Sequence, residues 1–337
     1  MKSWQVNAAL TASLPVLLVL SLGFGGASID VPEVLRSLFQ ATDSNAEVSN
    51  AAQRAIVLDL RMPRVLLAML VGACLAMAGA LLQTATRNDL ADPFLFGLSS
   101  GAASGAVAVI SITGEYFGIW TLPLASFVGG LVAAAGVLLL AQRSAGLGAE
   151  RIVLAGLAMS FLFSAVTHIL VFAGDQRAAH SILFWSLGGL GLARWDNLPL
   201  ALLGFVALAL FIALRHRALD ALLAGDEVAH SLGVKPQQLR TQVLIATALA
   251  TACCVALSGV IGFVGLMVPH LMRNSAGLLH AKLIPACGLL GAALLLGSDL
   301  LARSAMAPQE LPVGIVTASI GAAFVIGLLW KRKGPAL

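Results

Sequence analysis

The stretch RMPRVLLAMLVGACLAMAGALLQTATRNDLADP, running from Arg61 to Pro93, decides the fold. After Arg64 the chain stays apolar until Gln83, and charge returns only at Arg87-Asn88-Asp89. Bilayer hydrocarbon demands about 20 apolar residues per helical span, so this run, with the apolar residues before it, reads as a helix crossing a membrane. Gly72 and Gly79 sit inside it, where a soluble helix would be weakened; in lipid, small residues let helix backbones approach closely. Arg61 and Arg64, three residues apart at its start, face roughly the same side.

The same pattern recurs outward in both directions. A chain of 337 residues that is 59% hydrophobic and 11% charged has too little polar surface to cover a soluble globule. Apolar runs near 8–24, 58–82, 94–111, 119–141, 152–172, 196–213, 240–260, 261–277, 281–302 and 309–330 predict an all-α polytopic membrane protein of about ten spans. They form one domain over residues 1–337, because only short polar knots separate them. The first run follows Lys2 and lacks a convincing small-residue cleavage site, so it reads as a retained span. Gly259, Gly262 and Gly265 interrupt one long apolar region ahead of Pro269, which predicts a short or broken helix there.

Lys and Arg gather in the cytoplasmic loops of membrane proteins. With both ends inside, 13 of the 20 basic residues and all five lysines fall on the cytoplasmic side. Residues 25–57 and 173–195 then form outer segments, and 214–239 forms the longest inner one. The four cysteines all lie in apolar stretches and read as packing residues. The six histidines show no ligand spacing, and neither a permanent metal nor a bound cofactor is expected.

Within the inner segment, residues 219–234 read as two short helical pieces broken at Gly225. Asp226 and Glu227 suit a helix N-terminus, and Gly233 suits a stop. A short amphipathic element can pack into a groove on a partner or rest on the membrane surface. This element resembles the coupling loop of ATP-driven importer permeases, which docks into the cleft of a nucleotide-binding subunit. The likeness implies that role for Leu219, Gly225, Asp226, Glu227, Ala229, Leu232 and Gly233.

Over nearly the whole chain, the sequence resembles the permease family that imports ferric siderophores, haem and cobalamin, with the type II ABC importer fold. The likeness rests on Arg61-Met62-Pro63-Arg64, Gly72, Gly79 and Gln83, then Arg87 to Pro93, Gly97 to Ala102, Gly259 to His270 with Arg273, and Glu310-Leu311-Pro312-Val313-Gly314. Asp89 departs from it, since the family usually has Pro there. The resemblance implies a homodimer in the bacterial inner membrane, two copies of a cytoplasmic ATPase and a periplasmic binding protein. It also implies that Arg61, Arg64 and Arg303 pair with glutamates of that binding protein. The chain itself has no Gly-x-x-x-x-Gly-Lys-Ser/Thr phosphate loop, so ATP hydrolysis is expected of a partner. No nucleic-acid role is expected.

The resemblance also places the fifth span, 152–172, and its outer continuation on the dimer axis. Met159, Phe163 and Ser164 could form a wall for weak contacts, while His168, Arg177 and His180 could contact haem if haem is the cargo. The wall residues equally fit ordinary packing, and for each of the other three alone the stronger reading is structural: His168 hydrogen-bonded between helices, Arg177 and His180 solvated in an outer loop. A proton-coupled secondary transporter would want acidic residues deep in the membrane, whereas all 16 lie at span ends or in loops, with Asp59 and Asp299 closest to the interior. An intramembrane enzyme would want a metal motif or an activated nucleophile, and none stands out.

Overall fold

A computed structural model describes residues 3–25, 29–39, 48–113, 118–143, 149–174 and 176–331, and among them the chain forms fourteen α-helices and no strand. They are α1 (Ser3–Gly23), α2 (Val31–Phe39), α3 (Val48–Ala55), α4 (Met62–Thr86), α5 (Leu98–Ala108), α6 (Thr121–Arg143), α7 (Ala149–Ala173), α8 (Gln176–Ser186), α9 (Leu198–Leu223), α10 (Asp226–Ser231), α11 (Pro236–Ser258), α12 (Val264–Ala276), α13 (His280–Ser304) and α14 (Val313–Lys331). Each of the ten expected spans has a helical counterpart. Among the described residues, seven helices are long and apolar enough to cross a membrane. The apolar helices of the first and third expected spans, Ala8–Gly23 and Leu98–Ile112, are shorter, and α12 has only 13 residues because Gly259 to Phe263 leave the helix before it.

Helix α4 is the axis of the bundle. In its most apolar window 83% of residues are buried, against 28%, 22%, 22% and 17% for the spans of α6, α7, α9 and α14, whose outer faces are left for lipid. Glycine makes this central position possible. A Cβ on Gly72 would lie 2.2 Å from the carbonyl oxygen of Gly291 in α13, and one on Gly79 would lie 2.0 Å from that of Gly265 in α12. The reciprocal contact is equally close, since a Cβ on Gly291 would sit 2.3 Å from Gly72 O. Lipid tails provide no hydrophobic drive between helices, so this backbone approach, with its dispersion contacts, holds the centre together.

The expected pair of short helices around Gly225 requires a correction. The first piece belongs to α9, which continues to Leu223 because Leu219 and Leu222 keep its buried face going for another turn. Gly225, at φ 126°, adopts a backbone conformation that side chains disfavour, and only α10 stands as a separate short helix. The outer segments are part helix, as expected: α2 and α3 occupy the first and α8 the second.

The glycine contacts make a clear comparison. Gly72→Val should lower the thermal unfolding temperature in detergent by several degrees, an overpacking cost of roughly 1–3 kcal/mol or more. Gly297→Ala, where nothing lies within 4 Å of the added Cβ, should leave it unchanged or slightly raised. Equal melting of the two variants would show that backbone contact is not what locks α4.

Candidate functional site

Functional geometry collects at the two ends of the α4–α13 pair. At the N-terminal end of α4, the last turn of α1 leaves its carbonyls without helical partners. Arg61 Nη1 donates to Leu22 O at 2.6 Å and Gly23 O at 2.9 Å. Arg303 donates to Ser21 O and Phe24 O, each at 3.1 Å, and to Ser21 Oγ. Guanidinium groups suit this position because a helix C-terminus carries partial negative charge. Asp299, fully buried, pairs with Arg303 at 2.9 Å and with Arg64 at 2.9 Å. Arg64 Nη1 then reaches Glu310 at 2.7 Å.

The sequence brings Arg61, Arg64 and Arg303 to one end, and the structure confirms that they gather there but separates their situations. Arg61 and Arg303 are 7% and 2% exposed and engaged within the chain, so this conformation does not present them to a partner. The cause is the unpaired end of α1, which the sequence reading did not consider. Arg64, with its side chain 15% exposed and its ion pair to the half-exposed Glu310, retains an accessible edge.

At the opposite end, α10 is pinned by one carboxylate. Asp226 receives both terminal nitrogens of Arg240 at 2.8 Å and Nη2 of Arg87 at 2.5 Å. Arg240 is itself buried and donates Nε to Ala85 O at 2.9 Å. These contacts fix α10 to α11 and to the C-terminal end of α4. Hydrogen bonding from Arg240 holds the Asp226 carboxyl below its usual range, so it stays ionised and available to both arginines. Ala229 packs inward at 0% exposure and Leu219 is equally buried, whereas Glu227, Val228, His230, Leu232 and Gly233 are exposed. Docking chemistry on this element would therefore fall to Glu227, Val228, His230 and Leu232.

Two further ties at this end escaped the sequence reading. Asp220 accepts the backbone N–H of His280 at 2.9 Å and contacts its Nδ1 at 2.6 Å, while Nε2 of that ring lies 2.9 Å from Thr84 Oγ1. The ring thus links α9, α13 and α4. Asp89 pairs with Arg273 of α12. Charge sidedness marked these residues as loop charges, but pairing across 60 or more positions carries no local signal.

The proposed pathway residues separate too. Met159 is 9% exposed and lies against Gly97 and Gly136, and Phe163 is partly buried with its carbonyl accepting from Ser104. Met159 is therefore a packing residue here, because those glycines leave room for its side chain. His168 and His180 are exposed, with His180 stacked on Phe184 at 4.7 Å. The side chain of Arg177 lies outside the described residues. Among the described residues, none of Met159, Phe163, Ser164, His168 and His180 lines either of the two large cavities.

Those cavities flank the 259–263 break. The first, about 530 Å³, runs beneath the Arg64–Glu310 pair and is walled by Trp185, the 188–192 turn and Leu311-Pro312. The second, about 600 Å³, is mostly apolar, with Phe94, Phe263, Leu266 and one face of α14 around it and Asp92, Ser186 and Ser319 as its polar lining. Asp92 accepts from Phe94 N–H at 2.9 Å and also from the N–H of Leu266, so it caps both the turn at Pro93–Phe96 and the start of α12. Burial pushes its carboxyl up to about 6.

Comparison with known proteins follows the same outline. The FecCD transport family model matches residues 13–331. Over 333 residues the chain is 35% identical to the hemin transport system permease protein of Yersinia pestis, covering 98% of both chains. It is 39% identical over 284 residues to the cobalamin import system permease protein of Halobacterium salinarum, covering 84% of this chain and 76% of that protein. A solved inward-facing conformation assigned to the metal-chelate type of ABC transporter superposes with a TM-score of 0.82 at 32% identity, covering 97% of this chain and 99% of the other.

Two outcomes follow from the geometry. Asp226→Asn should leave the bundle folded yet release α10, raising amide hydrogen exchange over residues 225–233 by roughly tenfold, the scale of one charge-assisted hydrogen bond. Unchanged exchange would mean that the Arg87–Asp226–Arg240 node is not what holds α10. For Asp92, a carboxyl raised on folding contributes stability that is present below its unfolded value of about 4 and is lost as pH rises through about 6. Asp92→Asn should flatten that fall in thermal stability between about pH 4 and 7; a slope identical to wild type would assign it to other groups.

Proposed function

The chain belongs to the FecCD transport family, and from that premise we propose that it forms the membrane pathway of an ATP-driven importer for haem or another iron chelate. The observation that carries this reading is the match along the full length of the haem permease from Yersinia pestis. Cobalamin or a ferric siderophore is the second reading, favoured by the higher identity, over a shorter stretch, to the Halobacterium salinarum protein.

On this reading two copies of the chain pair in the bacterial inner membrane with both termini on the cytoplasmic side, so that α10 faces two ATPase subunits. Closure of those subunits on ATP pushes on the exposed face of α10. The node at Asp226 passes the push to α4 and α11, and the central helices open alternately to either side. A periplasmic binding protein delivers cargo at the arginine end, where Arg64 makes contact and Arg61 and Arg303 hold the end of α1 behind it. The chain supplies a passage and no catalytic group. Proton coupling gains no support from Asp299, one of the two acidic residues read as closest to the span interiors, because Arg64 and Arg303 neutralise it at the bundle end.

Reconstitution in liposomes with the cognate ATPase and binding protein tests the reading directly. Uptake of one cargo among haem, cobalamin and a ferric siderophore should be ATP-dependent, and Glu227→Ala together with Leu232→Ala should reduce stimulated ATPase activity severalfold without loss of the folded chain. Wild-type coupling in that double variant would remove α10 from the mechanism, and uptake without ATP would remove the importer reading.

A further inference from the structure

We propose that Glu310 is an internal stand-in for an acidic side chain of the docking protein, holding Arg64 until that protein displaces it, and that the displacement loosens the wall of the cavity beneath. The proposal rests on the docking reading above and adds to it a specific exchange. Arg64 holds two carboxylates of very different standing. Asp299 is fully buried and also paired with Arg303, so it is a fixed partner. The Glu310 side chain is 45% exposed and meets Arg64 through a single nitrogen at 2.7 Å. The pair is open to water on its Glu310 side, and ion pairs that water reaches are weak. Replacing one exposed carboxylate with another therefore costs little, and a second protein that supplies a carboxylate together with other contacts can drive the exchange.

What Glu310 is attached to gives the exchange a consequence. Residues 305–312 join α13 to α14 outside any helix. This segment is tied back by the N–H of Leu311 to Ala302 O at 3.0 Å. Beyond it, Gly314 packs so closely on the α8 end that a Cβ there would lie 2.1 Å from Leu187 O. Glu310, Leu311 and Pro312 form one wall of the cavity of about 530 Å³, and the 188–192 turn forms the facing wall. The Arg64–Glu310 pair is thus the contact that ties this wall to α4. An acidic residue arriving on Arg64 frees Glu310, and with it the segment between α13 and α14, so that arrival of the partner is felt at the cavity.

Two measurements separate this proposal from the docking reading. In the chain alone, in lipid nanodiscs, a cysteine introduced as Leu192→Cys on the cavity wall is labelled with a membrane-impermeant maleimide. Adding Glu310→Gln should raise the labelling rate about 2- to 5-fold, the scale set by losing one ion pair that water reaches, whereas Glu310→Asp should stay nearer the parent. In the full transporter, Glu310→Gln should also tighten capture of the candidate binding protein in a salt-dependent way, and Arg64→Ala should abolish that gain. Unchanged labelling and unchanged capture in Glu310→Gln, with thermal unfolding like wild type, would overturn the exchange while leaving docking in place. A wild-type transporter that captures no binding protein would overturn the docking reading, and the labelling result would still decide whether Glu310 latches the wall.

Discussion

The constraint on which the rest of this structure depends is the direct contact of backbones along α4. Gly72 against Gly291 and Gly79 against Gly265 leave no side chain between the helices. A contact made of side chains can repack by changing rotamers, but a carbonyl seated where a Cβ would be can only separate. Packed interiors resist such separation because they are already dense. The α4–α13 pair and its junction with α12 are therefore the rigid part of the molecule, and both functional ends are built on it.

Each end uses the pair differently. At one, Asp299 of α13 joins Arg64 beside α4's first turn and Arg303 of its own helix, and the two buried arginines close the open end of α1. At the other, Thr84 and His280 bridge the same two helices, and Arg240 ties α10 to the end of α4 through Ala85 O. A force applied at α10 would, under the transport reading, reach the arginine end through this tightly packed pair. Under the transport reading, the large movements then belong to elements outside this lock, namely α7, α14 and the 187–192 and 259–263 segments. These are also the parts that border lipid or the cavities.

The fold was legible because its signals are local. Apolar length located every span, and the glycines at 259, 262 and 265 marked the one break that shortens α12. What escaped were pairings between distant positions. Nothing near Arg61 or Arg303 indicates that the end of α1 would need donors, so both read as outward charges. Leu219 and Leu222 continue the buried face of α9 past His216 and Arg217, which read as the end of a span by charge alone. Asp92 caps the turn beside it in sequence, but its second bond, to the start of α12, lies more than 170 positions away.

Cargo is illegible for a different physical reason. A passage that must release what it admits makes weak, distributed contacts, and these leave no motif comparable to a metal cluster or a phosphate loop. Met159 illustrates the point: a plausible wall by sequence, it is a space-filler between Gly97 and Gly136 in the structure. Both large cavities are lined mainly by apolar groups and backbone, with charge confined to the Arg64–Glu310 pair in one and to Asp92 in the other, and two serines in each. Neither set of groups distinguishes a porphyrin from a corrin or a siderophore. On the proposed reading, discrimination falls to the protein that delivers the cargo at the arginine end, and this chain carries the passage.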